Sequence, residues 1–176
     1  MAATTALIED FVTRLRAVDG SVDVVAGVPA ARDRISALCA EAGGTAVATA
    51  AASSFAPGAE VAGDDLARIV AAATGVSHAL LGVAETGSVL LAPASRRERL
   101  VSLLPPLHIV VLDAATLLAS LDGAAAAMRS LMAAGAAYVS LVTGPSRTAD
   151  IERVITVGAH GPRRVHVVVV GEGSRG

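Results

Sequence analysis

The chain has 176 residues, a formal charge of −2, and 53% apolar but only 2% aromatic residues. All 14 basic residues are Arg, which excludes a lysine Schiff base and a Walker-type phosphate loop with its Lys. Near-neutral charge with so few aromatic rings argues against nucleic acid, which needs a basic footprint and stacking surfaces. Cys39 is the single cysteine, so this chain alone holds neither an iron–sulfur cluster nor a four-ligand zinc site, and no disulfide forms within it. Glu9 and Asp10 in the first turns do not fit a signal peptide, and every apolar run is interrupted before membrane-spanning length; a cytoplasmic protein is expected.

One domain over residues 1–176 is expected, with a core of Val, Leu, Ile and Ala. Leu7, Ile8, Phe11, Val12 and Leu15 recur at spacings of three and four, the stripe of an amphipathic helix that Gly20 stops. Residues 22–26 read as a strand, Pro29 opens a second helix closed by Gly43 and Gly44, and residues 45–49 read as a short strand. Residues 50–63, rich in Ala, Ser and Gly, read as a loop, and Asp64 as the cap of a helix carrying Leu66, Ile69, Val70 and Ala73. Residues 77–92 read as two apolar strands joined by a polar tight turn. A connecting turn over 96–104 leads to a Val/Ile strand at 107–112. Asp113 is expected to cap the longest helix, with Leu117, Leu118, Leu121, Met128, Leu131 and Met132 on one side. A strand at 136–142, a short helix near 149–155 and a nearly pure Val strand at 165–170 complete the chain. This alternation predicts an α/β fold: a three-layer α/β/α domain with a mostly parallel sheet, whose ligands bind beyond the carboxyl ends of the strands.

Three polar clusters interrupt the apolar pattern. In Glu85-Thr86-Gly87-Ser88, glycine permits close backbone approach, two hydroxyls offer hydrogen bonds and Glu85 offers a base; the same residues also suit a plain hairpin turn. Gly144-Pro145-Ser146-Arg147-Thr148-Ala149-Asp150 is placed at a strand-to-helix junction, where free N–H groups and the two-pronged Arg147 favour an anion. The alternative is a helix cap with an Arg147–Asp150 surface pair. Gly158-Ala159-His160-Gly161-Pro162 puts an accessible imidazole between glycines, suited to proton transfer at neutral pH or to a simple turn. His78, His108 and His166 lie within apolar strand patterns and are read as structural. No two His residues have metal-ligand spacing, no GxGxxG follows the first strand, and Ser146 lacks a G-x-S-x-G context.

These clusters, together with Ser102-Leu103-Leu104-Pro105-Pro106-Leu107-His108 between the first two, resemble the lactate-utilisation (LUD) domain, in its protein C branch. The resemblance is strong over residues 75–170 and loose before them. It implies a fold similar to the sugar-phosphate isomerase and CoA-transferase group. It also implies work beside two iron–sulfur partner subunits, A-like and B-like, that oxidise L-lactate to pyruvate without NAD. This chain would be the cluster-free subunit, contributing an anion-binding cleft and no cofactor of its own. Glu85 and His160 become the candidate catalytic residues. Thr86, Gly87, Ser88, Gly144, Ser146, Arg147, Thr148, Asp150 and Gly161 become candidates for binding a small carboxylate or phosphate. Leu80 stands where relatives often place an acidic residue. Two other functions stay open: a non-catalytic assembly or regulatory module, and a stand-alone CoA-transferase-like or isomerase-like enzyme using Glu85.

Overall fold

The computed structural model describes residues 2–149, 155–157 and 161–171. The helix α1 (Ala2–Ala17) precedes β1 (Ser21–Ala26), α2 (Gly27–Ala42) and β2 (Ala46–Ala48). A 3-10 turn (Ala50–Phe55) leads to β3 (Glu60–Val61), α3 (Leu66–Ala71) and β4 (Thr74–His78). Then come β5 (Leu81–Val83), β6 (Ser88–Leu91), α4 (Arg96–Val101), β7 (Leu107–Asp113), β8 (Leu117–Leu118) and α5 (Leu121–Ala133). The last strands are β9 (Ser140–Val142), β10 (Arg147–Ala149), β11 (Ile155–Val157) and β12 (Arg164–Gly171).

Six strands form one parallel sheet in the order β1-β12-β7-β4-β2-β3. The Val-rich β12 lies between β1 and β7, with Val167 in register with Val22 on one side and Val110 on the other. Its side chains alternate between two cores. Val165, Val167 and Val169 join Phe11 and Leu15 of α1, whereas Val168 joins Ala31, Ile35 and Leu38 of α2. A strand buried on both faces has no polar side to show, which is why it reads as unbroken valine.

The expected α/β class and mostly parallel sheet are present. The face carrying α1 holds more than helices. A second sheet, β8-β5-β6-β9, turns Val89 and Leu91 toward the main sheet and Leu81, Val83 and Leu90 toward Ala124 of α5. Residues 77–92 therefore supply three strands, because Ser77 and His78 end β4 in the main sheet before the β5–β6 hairpin begins. The stretch 50–63, read as a loop, contains the 3-10 turn and β3.

Two caps differ from expectation. Asp65, not Asp64, accepts the N–H of Ala67 at the start of α3. Asp113 accepts the N–H of Ala115 and so caps a 3-10 turn (Ala114–Thr116), because Leu117 and Leu118 are drawn into pairing with Gly82 and Val83 before α5 can begin. At 13 residues α5 is shorter than α1 and α2, each of 16. The short helix expected near 149–155 lies mostly outside the described residues; its two ends, Ala149 and Ile155, pair in the antiparallel β10 and β11, with Thr148 opposite Thr156.

Side-chain bonds fasten the layers. The Asp23 carboxylate of β1 accepts from Arg34 of α2 and meets His166 of β12 at 2.8 Å. Burial acts to raise the Asp23 pKa, but its hydrogen bonds from Arg34 and His166 outweigh that and hold it below the usual value. His108 is fully buried, with Nε2 3.0 Å from the Ser77 hydroxyl, and burial holds its pKa down to about 4.

Gly87 in the β5–β6 turn has φ of 67°, and a Cβ there would lie 2.4 Å from the backbone N of Leu15 in α1. Gly87→Ala is therefore expected to cost about 2–4 kcal/mol in denaturant unfolding, whereas Gly58→Ala, where a Cβ meets nothing, stays within about 0.5 kcal/mol. His108 supplies a pH dependence. Its folded pKa lies below the ordinary value of 6.5, so unfolding takes up a proton in acid. The associated stability is complete above about pH 6.5 and is lost as pH falls toward 4, by up to about 3 kcal/mol. Unfolding of His108→Gln, which keeps a polar side chain but does not titrate, is expected to show a shallower loss of stability between pH 7 and 4.5.

Candidate functional site

The three clusters singled out in the sequence converge, but at the amino ends of the strands. The Ser88 hydroxyl lies 2.7 Å from that of Thr86 and 2.6 Å from that of Thr143, a chain of hydroxyls joining the hairpin turn to the end of β9. Ser146 N–H donates to the carbonyl of Pro162 at 3.1 Å, and a Cβ on Gly161 would lie 3.0 Å from Ser146 Cβ, so the second and third clusters touch. Arg163 and Arg164 N–H groups both donate to the carbonyl of Pro106, immediately before β7. Gly144, with φ of 69°, presses on Val18 just ahead of β1, where a Cβ would stand 2.6 Å from the Val18 carbonyl oxygen.

What these residues do there is partly visible. Gly87 is small because α1 passes against it, and Gly144 because Val18, just after α1, does. The Glu85 carboxylate accepts the Leu121 N–H at 3.0 Å while its own N–H donates to the Ala119 carbonyl at 3.1 Å. Since Ser120 makes no side-chain cap, Glu85 serves as the cap of α5. Arg147 and Thr148 lie on β10, which pairs antiparallel with β11. Asp150 and His160 lie outside the described residues.

The carboxyl ends carry a different arrangement. His78 is the last residue of β4 and Asp113 the last of β7, while β1 runs directly into Gly27 at the start of α2. With Phe55, Val28 and Gly171 these residues line a crevice of about 260 Å³. The His78 ring is stacked on Phe55 with centroids 5.7 Å apart and planes at 23°. Burial lowers its pKa, opposed by the negative charge of Asp113. His78 also borders a chamber of about 40 Å³ shared with Thr49, Ser77, Glu98 and Ser102. Glu98 is committed to structure there, accepting the N–H of Ala50 at 2.7 Å and of Ala94 at 2.9 Å.

A larger cavity of about 360 Å³ lies between the second half of α2 and β2–β3, beside Cys39, Ala56 and Glu60. It is lined mainly by Ala, Gly and aliphatic groups. Its thiol is half-buried, with its pKa pushed up by burial, so it stays protonated near neutrality. Volume favours this cavity, but converging polar groups favour the carboxyl-end crevice, and chemistry is the better guide to a small polar ligand.

His78 was read as a structural histidine, and its stacking on Phe55 agrees with that, while its place at the end of β4 also turns it toward the crevice. An imidazole that closes a parallel strand stands where α/β sheets hold ligands. The signal was available, since His78 and Asp113 each end an apolar run, but it is weak until strand ends are known. His108 and His166 are structural as expected. Among the described residues no group of three or more His, Cys, Asp or Glu side chains is placed to hold a metal ion, and no helix is long and apolar enough to cross a membrane.

The family model of the LUD domain matches residues 51–170. The chain is 36% identical over 98 residues to Lactate utilization protein C of Shouchella clausii, covering 54% of this chain and 43% of that protein. It is 35% identical over 113 residues to the protein of the same name from Bacillus licheniformis, covering 62% and 47%. The protein YkgG of Escherichia coli is 33% identical over 110 residues, covering 61% and 48%. The chain thus spans less than half the length of these relatives. A crystal structure of a DUF162 family protein from Deinococcus radiodurans shares the fold with a TM-score of 0.69 at 20% identity, over 96% of this chain and 98% of that one. With well over half of its length matched by the family model, the chain belongs to the LUD domain family, of the lactate utilization protein C type.

Proposed function

We propose that this chain serves lactate utilisation as the cluster-free, cytoplasmic component of a system that oxidises L-lactate to pyruvate. Its role there is to bind a small carboxylate rather than to carry electrons. The observation behind this reading is the similarity to several bacterial proteins named Lactate utilization protein C, together with the LUD family model over residues 51–170. The residue inventory agrees with it. One half-buried cysteine falls short of the four thiolates a cluster takes, and on this reading iron–sulfur partner subunits of the A-like and B-like kinds carry the redox centres.

A stand-alone enzyme working through Glu85 loses ground, because that carboxylate already caps α5. The non-catalytic assembly module gains from the same kind of observation, since Thr86, Ser88, Thr143 and the Ser146 N–H are also engaged with the protein itself. The two surviving readings part on one point: a binding subunit needs an intact small-acid site, whereas an assembly module needs only its surface.

Deleting the gene in its host is expected to abolish growth on L-lactate while sparing growth on pyruvate. Tagged protein is expected to recover iron–sulfur subunits from lactate-grown cells. Unchanged growth on lactate would refute the reading. Glu85→Gln retains an acceptor oxygen for the Leu121 N–H, so it is expected to keep growth on lactate and to lose under about 1 kcal/mol of stability. A Glu85→Gln protein that folds normally but no longer supports growth would restore Glu85 as a catalytic base.

A further inference from the structure

We propose that the crevice at the carboxyl ends of β1, β4, β7 and β12 binds a small monocarboxylic 2-hydroxy acid, with the His78 imidazole accepting a hydrogen bond from the ligand's hydroxyl. This rests on the lactate-utilisation reading for the class of ligand and gives that class a place in the fold.

Four features of the crevice carry the assignment. First, no hydrogen bond to the His78 ring occurs among the described residues, although the ring is half-buried and its plane is set by Phe55. The His78 ring nitrogens are not among the described buried atoms that lack a partner, so the ring is open enough for a ligand hydroxyl in the crevice to reach it. Burial keeps this imidazole neutral at physiological pH, the form that has an acceptor nitrogen. Second, His78 borders both the crevice and the small polar chamber, whose Thr49, Ser77 and Ser102 side chains and volume of about 40 Å³ suit one water molecule. The residue therefore has polar surroundings on the interior side as well as toward the ligand.

Third, Gly27 and Val28 bring the start of the 16-residue α2 to the crevice wall, with no side-chain cap from Ala26. That end of a helix favours a carboxylate. Asp113, on the same lining, opposes every negative charge a ligand brings, so a monocarboxylate is disfavoured less than a dicarboxylate or phosphate. Fourth, the volume of about 260 Å³ falls below the roughly 300–1,000 Å³ of sites for drug-sized ligands. Val28, Val111 and Val170 give it apolar walls for a short hydrocarbon.

The test is an NMR titration of the full chain with L-lactate, propionate, malonate and inorganic phosphate, following the His ring resonances. L-lactate is expected to shift the His78 signals and to bind about five- to tenfold tighter than propionate, the worth of one hydrogen bond. His78→Ala is expected to equalise the two acids. The exposed Asp113→Asn is expected to raise malonate affinity at least about threefold, through loss of one like charge. Should His78→Ala fail to fold, His78→Gln, a weaker acceptor of different reach, and Asp113→Asn decide the matter. Equal affinities of lactate and propionate for the unaltered protein, lactate binding indifferent to residue 78, or no saturable binding of any acid would each overturn the assignment. A failed titration beside an intact growth defect removes this site and leaves lactate utilisation standing. Saturable lactate binding beside unchanged growth does the reverse.

Discussion

The structure depends on β12. That strand is hydrogen-bonded along both edges and buried on both faces, so it couples β1 to β7 and the α1 core to the α2 core. Its Val167, Val168 and Val169 are wholly removed from water, and each fully buried aliphatic side chain of this size contributes about 1.5–3 kcal/mol. A chain with two phenylalanines and no tryptophan has few large rings to fill space. It compensates with many small branched side chains in register, a solution that works only while the strands stay parallel and closely paired.

From that central strand the polar groups separate to opposite ends. At the amino ends, hydroxyls, glycines and Glu85 are spent on joining the hairpin, β9, α1 and α5. At the carboxyl ends, His78, Asp113 and the start of α2 are held apart by the strand spacing and leave a crevice between them. A parallel sheet produces this inequality by its nature, since every strand delivers its last residue to the same side.

Much of the fold was legible in the residues. The 3-4 spacing of Phe11 and Leu15, the glycine pair after α2, and the valine run of β12 each correspond to an observed element. The second sheet was legible only in part: strands were expected where β5, β6 and β9 lie, but β8 reads as part of a helix, and the pairing of these strands as a separate sheet left no mark. Leu117 and Leu118 illustrate this: they fit the periodicity of α5, yet tertiary pairing with Gly82 and Val83 claims them first. The candidate site was legible only as a set of polar interruptions. That Ser88 meets Thr143 and Ser146 meets Gly161 was not legible, since contacts between residues so far apart in the chain leave no local mark. For the same reason, nor was the binding of Glu85 by the start of a helix 36 residues later. His78 was passed over because a histidine inside an apolar run looks the same whether it faces the core or closes the strand.

Cys39 has a practical bearing of another kind. It sits on α2, on the side facing β2 and β3, half-shielded, alone in the sequence and reluctant to ionise. Its rate of reaction with a thiol reagent therefore registers access to the cavity between α2, β2 and β3. The molecule carries its own gauge of that access at one fixed point, with no second sulfhydryl to confuse the signal.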